Sequence, residues 1–322
     1  MIRLSRLISY VIPCYGSEHT IEGVVDEIKQ LQSKHQEDQY EIILVNDSSP
    51  DNVWSVIQDL VKNNDNIIGI DLARNFGQHS ALLAGYGKTK GDLIVSLDDD
   101  GQIAVEDTYK LIDHLEEGYD VVYGKYRVKK HNVFRNMASR IAAWISVYLI
   151  NIPKDFSGSS FFVARRYIID EMVKYPNAYV YLIGLVFRTT DKIDSVFVGH
   201  RKREVGHSGY TFTSLFALWL NGATTFSIKP LRLSTFLGFV TAFIGLIFSI
   251  VVVIKKILHP DMMMGWSSLM SVTLILCGVI LIVLGMLGEY VGRLYMSSNR
   301  EPQYVIRQTT DRDQQNDDFK ET

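Results

Sequence analysis

Apolar positions in the front of the chain follow two patterns in turn: short unbroken runs, and longer stretches that repeat every three to four residues. The runs Leu7 to Ile12, Tyr40 to Val45, Ile67 to Leu72, Asp92 to Leu97 and Asp120 to Tyr123 are short and β-branched, as buried strands require. Between them Thr20 to Gln32, Asp51 to Val61, Gln78 to Lys88 and Val105 to Glu117 read as helices, with Asp51 or Ser49 as the N-cap of the second. Strand and helix alternate with short links, which predicts an α/β chain with a Rossmann-like, doubly wound, mostly parallel sheet. Such sheets bind ligands outside the carboxyl ends of their strands. The less common residues gather in the loops at that edge: Pro13-Cys14-Tyr15-Gly16-Ser17-Glu18, Asn46-Asp47-Ser48-Ser49-Pro50-Asp51, Ala73-Arg74-Asn75-Phe76-Gly77-Gln78-His79 and Ser96-Leu97-Asp98-Asp99-Asp100-Gly101-Gln102.

Past Tyr123 the pattern changes. Arg127, Lys129, Lys130, His131, Arg135 and Arg140 accompany Val133, Phe134, Met137, Ile141, Trp144, Ile145, Tyr148 and Leu149 at helical spacing. An apolar, aromatic face with cations opposite suits a helix lying at a membrane interface, and equally a helix packed on a core. Gly206 to Ile228 carries no formal charge. Its apolar part, Phe212 to Ile228, would span only about 25 Å as a helix, short of the ~30 Å hydrocarbon layer, and reads as a second interfacial helix. Leu233 to Ile254 and Gly265 to Gly288 are charge-free and long enough for two transmembrane helices, joined by Lys255 to Met264. Two crossings return the chain to its starting side. The small-xxx-small spacing of Gly288 and Gly292 leaves self-association into a homo-oligomer open, and the polar tail from Thr309 reads as disordered. The expected division is an α/β domain over 1–128, a region with interfacial helices over 129–230, a two-helix anchor over 231–292 and a tail over 293–322.

Composition narrows the function classes. The 322 residues give room for about two domains, and the mean hydropathy of +0.06 averages a polar front with an apolar back. With 33 basic against 36 acidic residues and a formal charge of −3, nucleic acid is not an expected partner. Two cysteines, Cys14 and Cys277, supply neither a disulfide framework nor a thiolate metal site. The stretch from Met1 to Tyr10 is too brief for a secretory h-region, so the front domain is expected on the cytoplasmic side of the inner membrane. Gly87-Lys88-Thr89 resembles the end of a phosphate-binding loop, but Leu82 stands where the earlier glycine is required, and no Gly-x-Gly-x-x-Gly opens a helix.

The candidate chemistry sits in the aspartate run after the fourth strand. Asp98 and Asp100 are two residues apart, which in extended backbone sends both carboxylates to one side and Asp99 to the other. Two converging carboxylates suit Mg²⁺ or Mn²⁺ bound together with substrate phosphates. The alternative is an acidic turn with solvated side chains.

Taken together, Val11-Ile12-Pro13-x-Tyr15, Asn46-Asp47-Ser48-Ser49, Arg74-Asn75-Phe76-Gly77-Gln78, Asp98-x-Asp100-x-Gln102 and Leu287-Gly288-Glu289-Tyr290-Val291-Gly292-Arg293 make the chain resemble family 2 glycosyltransferases that act on polyprenyl phosphates. Within that family it is most similar to the bacterial undecaprenyl-phosphate formamido-arabinose and glucosyl transferases, with dolichyl-phosphate mannose synthases as relatives. The resemblance implies a GT-A type of fold and a nucleotide-sugar pocket to which Pro13, Tyr15, Glu18, Asp47, Gln78, Asp98 and Gln102 belong, with Asp47 at the base. It implies a divalent metal, Mg²⁺ or Mn²⁺, at Asp98 and Asp100. Acceptor phosphate would be held by Arg127, Arg135, Ser139 and Arg203, and Asp155 matches a catalytic residue beside Asp100.

The sequence also departs from the family pattern. Gly16-Ser17-Glu18 replaces Asn-Glu-Glu, Asn46 stands where an aspartate is usual, and Phe162 stands where an arginine follows the Asp155 motif. A phosphate monoester with a second pKa of about 6 is largely dianionic at neutral pH, so such an acceptor needs no base. The expected activity is inverting transfer of a sugar from a nucleotide donor to undecaprenyl phosphate at the bilayer surface, for a cell-envelope glycan. The alternatives are another lipid or lipid-diphosphate-linked acceptor, or a non-catalytic membrane scaffold.

Overall fold

The computed structural model describes residues 5–126, 156, 158–177, 180–199, 201, 229–258, 265–299 and 301–310. The apolar runs of the front half form β1 (Leu7–Cys14), β2 (Gln39–Asn46), β3 (Ile67–Leu72) and β4 (Leu93–Ser96), with β5 (Val121–Tyr126) after them. The intervening stretches form α1 (Ile21–Lys34), α2 (Val53–Lys62), α3 (Gln78–Tyr86) and α4 (Thr108–Leu115). A 3-10 turn over Val105–Asp107 leads into α4, and Asn52 rather than Ser49 or Asp51 stands at the N-cap of α2. Asp51 instead accepts the Val53 N–H at 3.3 Å.

β1 pairs in parallel with β2 and β4, and β2 pairs in parallel with β3. Every residue of β4 is buried, as the central strands of a doubly covered sheet require. Side-chain alternation divides the core between the two faces. Tyr10, Ile12, Ile42, Leu44, Leu93 and Val95 face α1, α2 and α4, whereas Val11, Ile43, Val45 and Ile94 face α3.

Three strands were not legible. β6 (Phe162–Arg165), β7 (Ile193–Val198) and β8 (Ile306–Thr309) complete an eight-stranded sheet in the order β7-β5-β6-β4-β1-β2-β3-β8. β6 enters antiparallel between β4 and β5, β7 runs parallel to β5, and β8 closes the far edge antiparallel to β3. Short strands of four residues carry too little periodicity to be read alone. The sheet therefore draws strands from well beyond residue 128. Two helices, α5 (Arg166–Val173) and α6 (Leu182–Thr189), add Ile168, Met172, Leu185 and Val186 to the α3 face.

Gly85 shows how tightly α3 lies on that face. A Cβ there would collide with the Val11 side chain and stand 3.0 Å from Val45 Cγ2. Helix propensity favours alanine by about 1 kcal/mol, but overpacking a core costs about 1–3 kcal/mol. Gly85→Ala is therefore expected to destabilise the domain by about 1 kcal/mol. Thermal unfolding of the purified protein should show a lower Tm, and an unchanged or higher Tm would count against so close a contact.

Two long helices, α7 (Lys229–Leu258) and α8 (Trp266–Ser298), follow. Their apolar stretches, Ser234–Val252 and Ile275–Ser298, are long enough to cross a membrane and are unburied by the protein. Phe236, Phe239, Leu281 and Ile282 are all more than half exposed, unlike the side chains of a soluble core helix. The charge-free run of the second span ends at Gly288. The helix runs ten residues further, through Glu289, and the first helix includes Lys255 and continues to Leu258. The two interfacial helices expected over 129–150 and 206–228 lie outside the described residues. Thr309, where a disordered tail was expected to begin, is instead the last residue of β8, and the tail beyond Thr310 lies outside the described residues.

Candidate active site

Parallel pairing of β1, β2, β3 and β4 brings their carboxyl-end loops to one edge. There the aspartate run divides its tasks. Asp98 Oδ1 accepts Gln78 Nε2–H at 2.8 Å, and its Oδ2 accepts the Ser160 hydroxyl just ahead of β6. Asp99 turns to the first loop, where its Oδ2 accepts the Tyr15 N–H at 2.8 Å, while its carbonyl accepts the Thr20 hydroxyl at 2.6 Å. Asp100 Oδ1 accepts the Gln102 N–H at 3.0 Å and shapes the turn. Gln102 in turn faces Arg201, whose N–H donates to the Gln102 carbonyl at 2.9 Å.

Burial pushes the Asp98 carboxyl up to about 6, aided by the like charges of Asp100 and Asp99 and opposed by the Ser160 and Gln78 bonds. Asp99 is also raised, chiefly by burial. A site that crowds three carboxyls in this way favours a cation. Asp98 and Asp100 are hard oxygen donors suited to Mg²⁺ or Mn²⁺, which takes one or two carboxylates and completes its shell with water and phosphate. Among the described residues no three His, Cys, Asp or Glu side chains gather into a self-sufficient metal site.

The other loops are braced against one another. Gly16 N–H donates to Ser49 Oγ at 2.8 Å, Ser49 Oγ–H to Asp51 Oδ1 at 2.6 Å, and Glu18 N–H to Asp51 Oδ2 at 2.9 Å. Glu18 returns the contact, its Oε2 accepting the Asn52 N–H at 2.9 Å at the start of α2. Pro13 is buried at the end of β1, and the Tyr15 ring, 54% exposed, stands at the mouth of the edge where a planar base could stack.

Asp47, the residue expected at a nucleotide base, bonds to the third loop. It is 3% exposed, with Oδ1 accepting the Phe76 N–H at 2.7 Å and Oδ2 the Gly77 N–H at 2.8 Å. Gly77 has φ of 86°, a conformation that glycine adopts without strain, and it sets the N-terminus of α3. Asp47 thus fixes the loop that presents Gln78 to Asp98. Burial raises its pKa against the pull of those two amides. The unusual Asn46 has a local reason as well. Its Nδ2 donates to Asp71 Oδ1 at 2.7 Å while its Oδ1 accepts the Ser49 N–H at 3.0 Å, and an aspartate there would set two carboxylates together.

Of the expected residues, Pro13, Tyr15, Glu18, Asp47, Gln78, Asp98, Asp100 and Gln102 share this edge. Asp155, Arg127, Arg135, Ser139 and Arg203 lie outside the described residues. Sequence reasoning missed Asp99 as the clamp on the first loop and Ser160 as a partner of Asp98. Phe162, in the arginine position, is buried in β6 opposite Ser96, two residues from that serine.

His79 was also missed. Its Nδ1 accepts the Leu182 N–H at 3.1 Å at the first residue of α6, and its ring stacks on Tyr181 with centroids 5.8 Å apart. Burial lowers its pKa from 6.5 to about 4, so it is neutral at pH 7. Between these values the unfolded chain binds a proton that the folded chain does not. The His79 contribution is therefore complete above pH 6.5 and is lost as pH falls towards 4, by about 3 kcal/mol in all. Denaturation at a series of pH values should show a steeper acid slope for the wild type than for His79→Gln; parallel slopes would contradict the assignment.

Comparison with known proteins places the chain in a family. The description "Glycosyl transferase family 2" matches residues 9–172, and "GtrB C-terminal hairpin" matches 229–294. An undecaprenyl-phosphate 4-deoxy-4-formamido-L-arabinose transferase of Proteus mirabilis is 32% identical over 305 residues, covering 93% of each chain. An uncharacterized glycosyltransferase of Bacillus subtilis, YkcC, is 29% identical and covers 95% of each. Among solved structures, glucosyl-3-phosphoglycerate synthase of Mycobacterium tuberculosis superposes with a TM-score of 0.51 at 21% identity, over 68% of this chain and 79% of its own. The same enzyme with Mn²⁺, uridine diphosphate and phosphoglyceric acid gives a TM-score of 0.50 at 20% identity, over 68% and 77%.

Proposed function

Since the chain belongs to glycosyl transferase family 2, we propose that it is a membrane-bound enzyme that moves a sugar from a nucleotide donor to undecaprenyl phosphate at the cytoplasmic face of the inner membrane. The observation that carries this reading is the union, in one chain, of the Asp98–Asp100 edge with an apolar helical hairpin. The first suits a nucleoside diphosphate, and the second suits an acceptor that never leaves the bilayer.

In this reading Tyr15 stacks on the nucleotide base, and the first two loops, locked together through Ser49, Asp51 and Glu18, form a preorganised wall. Pro13 and Gln102 close the same pocket. Asp98 and Asp100 hold Mg²⁺ or Mn²⁺, which when bound neutralises the departing diphosphate. Gln78 and Ser160 keep Asp98 oriented towards the pocket. Arg127, Arg135, Ser139 and Arg203 supply the donors that hold the acceptor phosphate. A lipid phosphate is already dianionic near neutral pH, so its oxygen attacks the anomeric carbon without giving up a proton. Positioning and charge neutralisation then provide most of the rate, and attack opposite the leaving group inverts the anomeric centre. Asp155 in this scheme orients the arginines or the sugar.

The test is transfer from a panel of radiolabelled nucleotide sugars to undecaprenyl phosphate in membranes, with and without Mg²⁺ or Mn²⁺. A chelator-sensitive, mild-acid-labile glycolipid is the expected product. Absence of product from every donor, with folded protein in the membrane, would sink the lipid-phosphate reading and favour another acceptor or a scaffold.

A further inference from the structure

β8 lies beyond the membrane hairpin in sequence, yet it completes the sheet on the side of the donor loops. The chain leaves α8 and is fastened at once to the catalytic domain: Ser297 Oγ–H donates to Asn177 Oδ1 at 2.5 Å, and Gln303 Nε2–H to the Asn177 carbonyl at 2.9 Å. Tyr304 and Ile306 then pack against the α3-side core. Backbone bonds from Ala73 N–H to the Val305 carbonyl at 2.8 Å and from Thr310 N–H to the Gly69 carbonyl at 2.9 Å hold both ends of the strap.

Within this strap the register breaks. Ile306 stands opposite Leu72 and Gln308 opposite Asp71, so Arg307 is the extra residue of a bulge. A bulge bends its strand and re-aims a side chain. Here Arg307 Nη1 reaches Asp71 Oδ2 at 3.2 Å and Nη2 donates to the Ala73 carbonyl at 2.7 Å. The Asp71 side chain is 2% exposed and the Arg307 side chain 55%, so the cation closes over a buried carboxylate from the outside.

Asp71 is the node that joins this cation to the donor loops. Its other oxygen accepts Asn46 Nδ2–H, Asn46 Oδ1 accepts Ser49 N–H, and Ser49 Oγ accepts Gly16 N–H. The Ala73 carbonyl held by Arg307 begins the loop whose Phe76 and Gly77 amides bind Asp47. One guanidinium thus ends a string of hydrogen bonds through Asp71 to the loops after β2 and β1, and directly holds the backbone of the loop after β3.

We propose that Arg307 is a positioning residue of the nucleotide pocket, through which the segment leaving the membrane hairpin sets the donor loops. The proposal rests on the reading of this edge as a nucleotide-sugar site. Removing the arginine leaves the Asp71 carboxylate buried with the Asn46 amide as its remaining side-chain partner among those described above. Asn46 then turns towards Asp71, and the Ser49 turn loosens. Removing the Asp71 charge leaves an exposed arginine that water solvates readily, so the two changes are not equivalent. Arg307→Gln should act most strongly, Asp71→Asn weakly, and the double variant should fall between them, because it no longer buries an unpaired carboxylate but still loses the bond to the Ala73 carbonyl.

The experiment uses the full chain in detergent and two measurements. Hydrogen exchange of the protein without nucleotide reads the amides of Ser49, Phe76 and Gly77. Calorimetry reads the binding of UDP, GDP, CDP and dTDP, each with Mn²⁺. In Arg307→Gln, exchange at these amides is expected to rise at least tenfold and affinity for whichever nucleotide binds the wild type to fall about tenfold. Arg307→Lys, which keeps the charge but not the forked donor, should recover part of both. Unchanged exchange, or raised exchange with unchanged nucleotide affinity, would overturn the proposal, as would a double variant as impaired as Arg307→Gln. Wild-type protein that binds none of the four nucleotides would overturn the nucleotide-site reading instead. Exchange at the three amides would then decide by itself whether Arg307 sets these loops.

Discussion

Asp100→Asn is expected to lower kcat by about 10²–10³-fold while leaving the fold intact. In the proposed mechanism little bond-making falls to protein side chains, because the acceptor arrives already ionised. The barrier then depends on neutralising the diphosphate that leaves, and losing one preorganised electrostatic contact of that kind costs about 3–4 kcal/mol. Asparagine preserves the Oδ1 that accepts the Gln102 N–H at 3.0 Å, so the turn should survive. What it removes is the negative charge that, in the proposed mechanism, would hold a divalent cation. Turnover under saturating donor and acceptor, with Mg²⁺ or Mn²⁺ titrated, reads the effect directly. A loss confined to stability, or full activity at ordinary metal concentration, would show that Asp100 is only a turn residue.

Asp47→Ala is expected to raise the donor KM more than tenfold and to destabilise the domain by about 2–4 kcal/mol. Two backbone amides, Phe76 N–H and Gly77 N–H, lose a carboxylate acceptor at once, and hydrogen bonds to charged groups are worth about 1.5–3 kcal/mol each. The loop they fix carries Gln78, whose amide holds Asp98 at 2.8 Å, so the damage passes to the aspartates. Asp47→Asn would not repair it, because one of the two amides would then face an NH₂ group in place of an acceptor. Kinetics against donor and acceptor separately should show the donor KM moving alone, alongside a lower Tm. An unchanged donor KM in a folded Asp47→Ala protein would show that this loop does not shape the pocket.

How far the site was legible differs residue by residue. The place of Asp98 and Asp100 at this edge could be read because a strand of known phase ends where they begin, and that of Pro13, Tyr15 and Glu18 followed from the same logic of strand ends. The place of Asp47 could be read in the same way but not its bonds, since sequence cannot show that Phe76 and Gly77 turn their amides towards it. Asp99 was taken only as the side chain pointing away, and its hold on Tyr15 needs the first and fourth strands to be neighbours. Ser160, His79 and Arg307 lie 62, 103 and 236 positions from the groups they serve, Asp98, Leu182 and Asp71. No local pattern spans such separations.

By itself, then, the sequence determined what local periodicity and chemistry can determine. It set the alternation of strands and helices, the edge at which acidic and glycine-bearing loops collect, and the two apolar helices that suit a bilayer. Each follows from side chains acting on their own neighbourhood, through pleat, helical repeat and transfer from water. The tertiary structure decided what depends on the partners of short, weakly patterned segments. β6 slips between β4 and β5 because a buried slot there accepts four residues, and β8 returns from the membrane hairpin to cover the open edge of β3. Unpaired backbone at a sheet edge gains bonds from any strand that reaches it, and packing rather than propensity chooses which one does. That choice put Arg307 over Asp71 and tied the last of the described strands to loops that the first seventy-odd residues had already built.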